Sequence, residues 1–363
     1  MNLLITARDP ATAISFDKLL PELLQQTQFT CRLLCQQPAF GILSHFQSEL
    51  EMLLVTEFDD KFVTQQFASF KPDSVLTGIS GPDVGIDEVI LQRAKTNRIQ
   101  SFALQNFWGD INQASQAIPD VAFVLDAEAK KITEQRYPSI QCIPIGSIKH
   151  IDYHQYNSLE KKLHIREQLN LADKIVIGFY GQPILNVPGY FKTLEAMVRQ
   201  LKTWDKDFKL IYRPHPKESV ELQQKTMQLF QQSFADKIRL DSAHSIQDSL
   251  VTCDLVVSAF STCGFDNLYL NEMAEQAFNT SVYLWFEPEL IKWWQDYSHL
   301  QKMPLISEDL LLAVDKEERL IAVLEQGLLK EVQQRLRQNA KRHLPDPSEA
   351  INIIIKELNN HHG

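Results

Sequence analysis

No run of eighteen consecutive apolar residues occurs in the 363-residue chain, so no segment reads as a membrane-spanning helix. The first residues, MNLLITARD, lack the charged and apolar regions of a signal peptide and read as a first strand. The expected location is therefore cytoplasmic, including the inner face of the membrane. Long Lys/Arg runs are also missing and the net charge is −10, which repels a phosphate backbone and excludes nucleic acid as a partner. The five cysteines, Cys31, Cys35, Cys142, Cys253 and Cys263, form an odd set. Cys31 and Cys35 are spaced like one side of a zinc site, but no second Cys or His pair accompanies them, so no metal is expected. Buried free thiols are the expected state; Cys263, near a helix start, is the one whose reactivity would rise. No glycine follows the first strand, where Arg8-Asp9-Pro10-Ala11-Thr12-Ala13 stands. Tight phosphate approach is not expected there, and Asp9 reads as a helix cap. There is no internal repeat.

What is present fits an α/β protein. With 44% hydrophobic and 23% charged residues the chain is globular, and its length suits two domains. Short apolar runs alternate with helical patterns in the first half, at Leu3 to Ile5, Thr30 to Leu34, Leu50 to Val55, Ser74 to Leu76, Gln100 to Ala103, Ala122 to Leu125 and Gln141 to Pro144. This is the signature of a parallel sheet covered on both faces. A polar stretch follows, and the alternation restarts at Lys174 to Phe179, Phe208 to Tyr212, Leu255 to Ser258 and Val282 to Leu284. The expected division is a Rossmann-like domain over 1–148, a linker with a docking helix over 149–173, and a second Rossmann-like domain over 174–363. Its tail is expected to be helical from Glu308 to His343 and from Ser348 to Asn359.

Two motifs carry chemistry. In Ile211 to Glu218, IYRPHPKE, two prolines stiffen a turn that presents His215, and Arg213 and Lys217 add charge suited to phosphate. The alternative is a rigid strand exit whose His caps a carbonyl. Downstream, Asp254-Leu-Val-Val-Ser258 reads as a buried strand and Ser261-Thr262-Cys263-Gly264-Phe265-Asp266 as the start of a helix, which is an anion site by its free N–H groups. Capping by Ser261 and Thr262 is the plainer account.

RPHP, then D-x-V-V-S, then S-T-x-G-x-D resembles the C-terminal half of GT-B-fold glycosyltransferases. These include families that build bacterial surface polysaccharides, and the fold is shared with the non-hydrolysing UDP-N-acetylglucosamine 2-epimerases. The resemblance implies two doubly wound α/β domains facing a central cleft, with C-terminal helices crossing back. It implies that His215 and Ser261 with Thr262 bind the phosphates of a nucleotide-sugar donor and that Asp266 holds the ribose. Gly181 and Gln182, after the first strand of the second domain, fall where such proteins contact the donor through backbone. The chain departs from the usual pattern in having Asp266 where Glu is commoner and Thr262-Cys263 where Gly-Gly or Ser-Thr often stands.

The loops of the first domain supply acids. Asp83, in the Gly78-to-Glu88 loop, is a candidate base or the start of a helix at Val84, with Ser80 beside it. Asp110 follows Trp108, whose flat ring suits a pyranose face, and Asn112 suits hydroxyls; the plainer account of Trp108 is a buried anchor. His244 reads as a cap. Trp293, Trp294 and Tyr297 read as packing between domains or an acceptor platform, and His361 and His362 as a disordered terminus. With no D-x-D pair in a loop after a strand, the expected activity is metal-independent transfer from a nucleotide-sugar to a cell-surface glycan or lipid-linked glycan, without a cofactor. The alternatives are an epimerase or hydrolase of the same fold and a non-catalytic nucleotide-sugar binder.

Overall fold

The computed structural model describes residues 1–81, 83–112 and 117–360; His361 and His362 lie outside them. It divides into two units, Met1–Asp152 with His343–Gly363, and Tyr153–Arg342.

The first unit carries seven strands: β1 (Asn2–Ala7), β2 (Thr30–Cys35), β3 (Glu51–Leu54), β4 (Ser74–Gly78), β5 (Gln100–Leu104), β6 (Val121–Val124) and β7 (Gln141–Pro144). All pair in parallel in the order β3-β2-β1-β4-β5-β6-β7. The apolar run of β1 is continuous because alternate side chains feed opposite faces. Leu3 and Ile5 join Phe16 and Leu19 of the helix Pro10–Gln25, while Leu4 joins Val63, Phe67 and Ile90 on the other side. The C-terminal helix Ala350–Asn360 closes the first cluster with Ile351, Ile354 and Leu358.

The second unit has β8 (Ile175–Tyr180), β9 (Phe208–Arg213), β10 (Ile238–Leu240), β11 (Leu255–Ser258), β12 (Thr280–Leu284) and β13 (Leu312–Val314). They form a parallel sheet in the order β10-β9-β8-β11-β12-β13. In each sheet the chain order reverses once, between β1 and β4 and between β8 and β11. Ligands of open α/β sheets bind outside the carboxyl ends of strands at such reversals.

Three boundaries differ from the expectation. The stretch 149–173 contains a docking helix, Ser158–Gln168, but most of it is part of the second unit, which begins at Tyr153; Lys162 and Arg166 hold Asp254 there at 2.9 and 2.8 Å. Glu308 to His343 is interrupted by β13, whose Leu312 and Val314 fill the sheet's edge beside β12. Residues from His343 onward belong to the first unit, because the apolar stripe of the last helix packs there. No described helix is long and apolar enough to cross a membrane.

Candidate functional site

In the second unit the loops after β8, β9 and β11 gather at one sheet edge. β9 and β11 flank β8, so their loops start two strand spacings, about 10 Å, apart. The Gly181 amide donates to the Arg213 carbonyl at 2.9 Å. A β-carbon at Gly181 would collide with the Glu218 carboxylate and lie 3.2 Å from the Tyr212 ring, so a larger residue there would require the buried Glu218 side chain to move. Gln182 is buried; its Oε1 accepts from the Phe260 amide at 3.0 Å and its own amide donates to the Tyr190 hydroxyl at 3.2 Å. Gln182 is thus a brace between the β8 and β11 loops, and its side-chain carbonyl is already engaged.

Arg213 is also committed. Its guanidinium donates to Asp241 at 2.6 Å and to the Ala243 carbonyl at 3.2 Å, an ion pair that removes the free charge expected for a phosphate ligand. His215 is presented differently. Its Nδ1 accepts the Lys217 amide at 3.0 Å, which assigns the proton of the neutral ring to Nε2. Desolvation first and the Lys217 ammonium second hold the imidazole below its ordinary pKa, so at neutral pH it is an uncharged N–H donor. Lys217 is exposed and forms no ion pair among the described residues. Glu218, unassigned from sequence, is buried beneath this loop, accepts the Tyr212 hydroxyl at 2.5 Å and is raised by desolvation.

After β11, Ser258 Oγ accepts the Ser261 amide at 3.0 Å and Ser261 Oγ accepts the Cys263 amide at 3.3 Å. The helix Cys263–Met273 starts with Thr262 at the N-cap position, exposed, its hydroxyl capping nothing. Ser261 thus takes the capping role and Thr262 does not. Asp266 lies in the first turn, buried, and its charge is the second cause, after desolvation, that raises the Tyr153 hydroxyl. Ser245, not His244, caps the helix Ile246–Thr252, accepting the Asp248 amide at 3.0 Å.

In the first unit the reversal between β1 and β4 brings together Arg8, Asp83 and a buried acid pair. Arg8 Nη1 and Asn112 Nδ2 both donate to the Asp83 carbonyl, at 2.7 and 3.0 Å, which fixes the backbone of Asp83 and leaves the residue exposed. The helix begins at Ile86 rather than Val84: the Gly85 amide is taken by Glu88 at 2.7 Å and the Ile86 amide by Gln36 at 2.8 Å, so Asp83 is not its cap. Asp9 occupies the N-cap position of Pro10–Gln25 without a side-chain cap bond. Ser80 is buried and donates to Asp87 at 2.8 Å, so its hydroxyl is engaged inside the protein. Trp108, 4% exposed, donates Nε1 to Asp126 at 2.9 Å and meets Phe107 edge-on; it anchors the loop and leaves no open ring face. Asp110 is exposed, yet desolvation by the protein around it, with the Asp9 carboxylate adding repulsion, pushes its pKa up to about 6; exposure tempers that rise.

Sequence reasoning passed over Asp87 and Glu88. Glu88, three residues after Gly85 at a helix start, carried a capping signal; Asp87 carried none, because its partners are Thr6 (2.5 Å) on the distant strand β1 and Ser80 in the loop after β4, at no recognisable motif spacing. Asp87 is fully buried, and desolvation lifts its carboxyl to about 6 against the two hydroxyls. A raised carboxyl weakens folding as pH climbs above the unfolded value of about 3.9, fully so above the folded value. Asp87→Asn is therefore expected to stabilise the first unit by about 2 to 3 kcal/mol at pH 8 and by nothing at pH 4. Chemical denaturation at the two pH values checks this, and an equal effect at both would contradict the cause given.

Among the described residues no cluster of three or more His, Cys, Asp or Glu side chains is arranged to hold a metal. No family model matches the chain, and no curated protein matches it in sequence. Solved structures do. A UDP-GlcNAc 2-epimerase from Neisseria meningitidis bound to UDP-GlcNAc aligns over 99% of this chain and 100% of its own, with TM-score 0.63 and 14% identity. A glycosyltransferase from Rickettsia africae aligns over 99% and 98%, with TM-score 0.64 and 11% identity. An Anabaena protein in complex with UDP and glucose aligns over 99% and 99%, with TM-score 0.65 and 10% identity. The fold is GT-B. At these identities the likeness carries the fold and not the chemistry.

Proposed function

We propose that this chain is a metal-independent glycosyltransferase whose second unit binds a nucleotide-sugar and whose acceptor is a cell-surface glycan or lipid-linked glycan. The observation that carries the reading is His215, whose Nδ1 is occupied by the Lys217 amide so that Nε2–H is free to donate to phosphate. Charge develops on the departing diphosphate or phosphate. A neutral N–H, the exposed Lys217 ammonium and the helix start at Ser261 and Thr262 stabilise it where other enzymes use a metal. Asp266 accepts from the ribose diol. The ligands named for two similar structures, UDP-GlcNAc and UDP with glucose, support a uridine nucleotide as donor.

The acceptor's proton goes to an acid of the first unit. Asp110 suits this better than Asp83, because its raised pKa puts base strength near neutral pH. A base must be deprotonated, so kcat/KM is expected to rise with pH through about 6. Asp110→Asn should lower it about 100-fold or more and remove that limb; a pH profile unchanged in the variant would count against Asp110. The second reading is a 2-epimerase, favoured by the similar structures that carry that name. Incubation with donor and no acceptor separates the two, because an epimerase changes the sugar and a transferase leaves it intact.

A further inference from the structure

We propose that a second pocket of the second unit, over the sheet edge formed by β9 and β10, binds a small organic phosphate through Lys161, Arg239, His164 and His244. Its lining includes none of His215, Lys217, Ser261, Thr262 and Asp266, so the proposal stands apart from the nucleotide-sugar reading. The volume is about 360 Å³, within the range of small-molecule sites.

The pocket exists because one face of the sheet edge is short of cover. β10 is a three-residue edge strand. The helix that follows it, Ile246–Thr252, has only seven residues and turns back over β8, where Ser249 meets the Tyr180 hydroxyl at 2.9 Å. Arg239 and Ile211 are register partners on β10 and β9, and paired residues of neighbouring strands point to the same face. Both line the pocket. The helix Ser158–Gln168 supplies a further wall with Lys161, His164 and Ile165, and the turn from Asp241 to His244 closes the strand ends.

The charges of the lining select an anion. Its two acids already have partners: Asp241 pairs with Arg213 at 2.6 Å and accepts the Ser249 hydroxyl at 2.5 Å, and Asp248 accepts the Tyr156 hydroxyl at 2.6 Å. The bases are not so engaged. Among the described residues Lys161, Arg239 and His244 form no ion pair, and His164 meets the Gln168 amide at 3.0 Å. Because Arg213, outside the pocket, neutralises Asp241, the charge of Asp248 alone stands against Lys161 and Arg239, in a chain of net charge −10. A guanidinium fork, an ammonium, two imidazoles and the Ser242 hydroxyl offer more donors than the two oxygens of a carboxylate use, and they match the three oxygens of a phosphate monoester. Ile165, Leu169 and Ile211 give the carbon part of such an ester an apolar wall, which inorganic phosphate would leave unused.

The test is calorimetric titration of the full chain at fixed ionic strength with phenyl phosphate, inorganic phosphate and benzoate, on wild type, Lys161→Ala, Arg239→Gln and His215→Ala. The expected result is saturable binding of phenyl phosphate, tighter than that of inorganic phosphate or benzoate, weakened tenfold or more by Arg239→Gln and several-fold by Lys161→Ala, and retained in His215→Ala. Lys161 is exposed on its helix, so its variant reads the site even if Arg239→Gln fails to fold. No saturable binding, binding that neither Lys161→Ala nor Arg239→Gln weakens, or inorganic phosphate or benzoate binding as tightly as the ester would overturn the proposal. Loss of all binding in His215→Ala would overturn it too, by assigning the phosphate to the donor loops.

Discussion

Replacing Asp254 with alanine is expected to destabilise the second unit by about 3 to 5 kcal/mol. Asp254 immediately precedes β11 and gathers three donors: Lys162 Nζ at 2.9 Å, Arg166 Nη1 at 2.8 Å and the Val176 amide at 2.9 Å. Lys162 also donates to the Cys253 and Phe278 carbonyls, both at 2.8 Å. Truncation would strand an ammonium and a guanidinium whose side chains are only 15% and 9% exposed, together with a strand amide that water cannot easily reach. Burial pulls the Lys162 ammonium down, but its three acceptors keep it charged and the cluster is ionised. At Asp254 desolvation opposes ionisation, and the two cations outweigh it to hold the carboxyl below its ordinary range. A depressed carboxyl contributes stability above the unfolded pKa of about 3.9 and loses it as pH falls through the folded value. Wild type and variant should therefore differ most at neutral pH and converge in acid. Urea unfolding followed by tryptophan fluorescence, with four of the five tryptophans in the second unit, reads the difference; coincident curves at pH 7 would mean the cluster adds no stability.

The second large effect is on the reaction. Under the proposed function, His215→Ala should lower kcat/KM by about 10² to 10³, the usual loss when one fixed donor to a developing anion is removed. Its fold should survive, because His215 is a half-exposed loop residue whose side chain accepts a hydrogen bond from the nearby Lys217 amide. The free imidazole titrates below the ordinary value of about 6.5, lowered by desolvation and then by Lys217. A bound phosphate favours the protonated ring, so donor affinity should strengthen as pH falls through that range, and the variant should lose this trend. A variant with unaltered kcat/KM and the same pH trend would remove His215 from the site.

Much of the fold was legible because it is local. Continuous apolar runs such as Leu3 to Ile5 and Lys174 to Phe179 have no other use than strands buried on both faces, and they appear as β1 and β8. The edge strand β13 was hidden inside a helical pattern because a three-residue strand has too short a period to register. The docking helix expected in 149–173 is present as Ser158–Gln168, but its docking partner was not legible, because Lys162 and Arg166 meet Asp254 about ninety residues away. At the candidate site the sequence marked loops that the fold gathers at the strand ends, but it could not give the state of each side chain. Arg213 and Gln182 were matched with a ligand, yet Asp241 and Phe260 already occupy them. Ser80 and Trp108 were matched with an acceptor, yet Asp87 and Asp126 hold them inside. Apart from Asp87, seven residues from Ser80, those partners are 18 to 78 residues away, and no spacing along the chain announces any of them. His215 differs because its orienting partner is only two residues away.

The most direct test of the nucleotide-sugar reading is thermal-shift measurement of the purified chain with UDP, CDP, CMP, GDP and their sugar conjugates, with and without EDTA, on wild type and His215→Ala. A nucleotide bound only by the folded state at 100 times its Kd stabilises by about 2.7 kcal/mol, a readily visible shift. The account predicts a nucleotide-selective, EDTA-insensitive rise in Tm that His215→Ala loses. No rise with any nucleotide, or an equal rise in the variant, would contradict it.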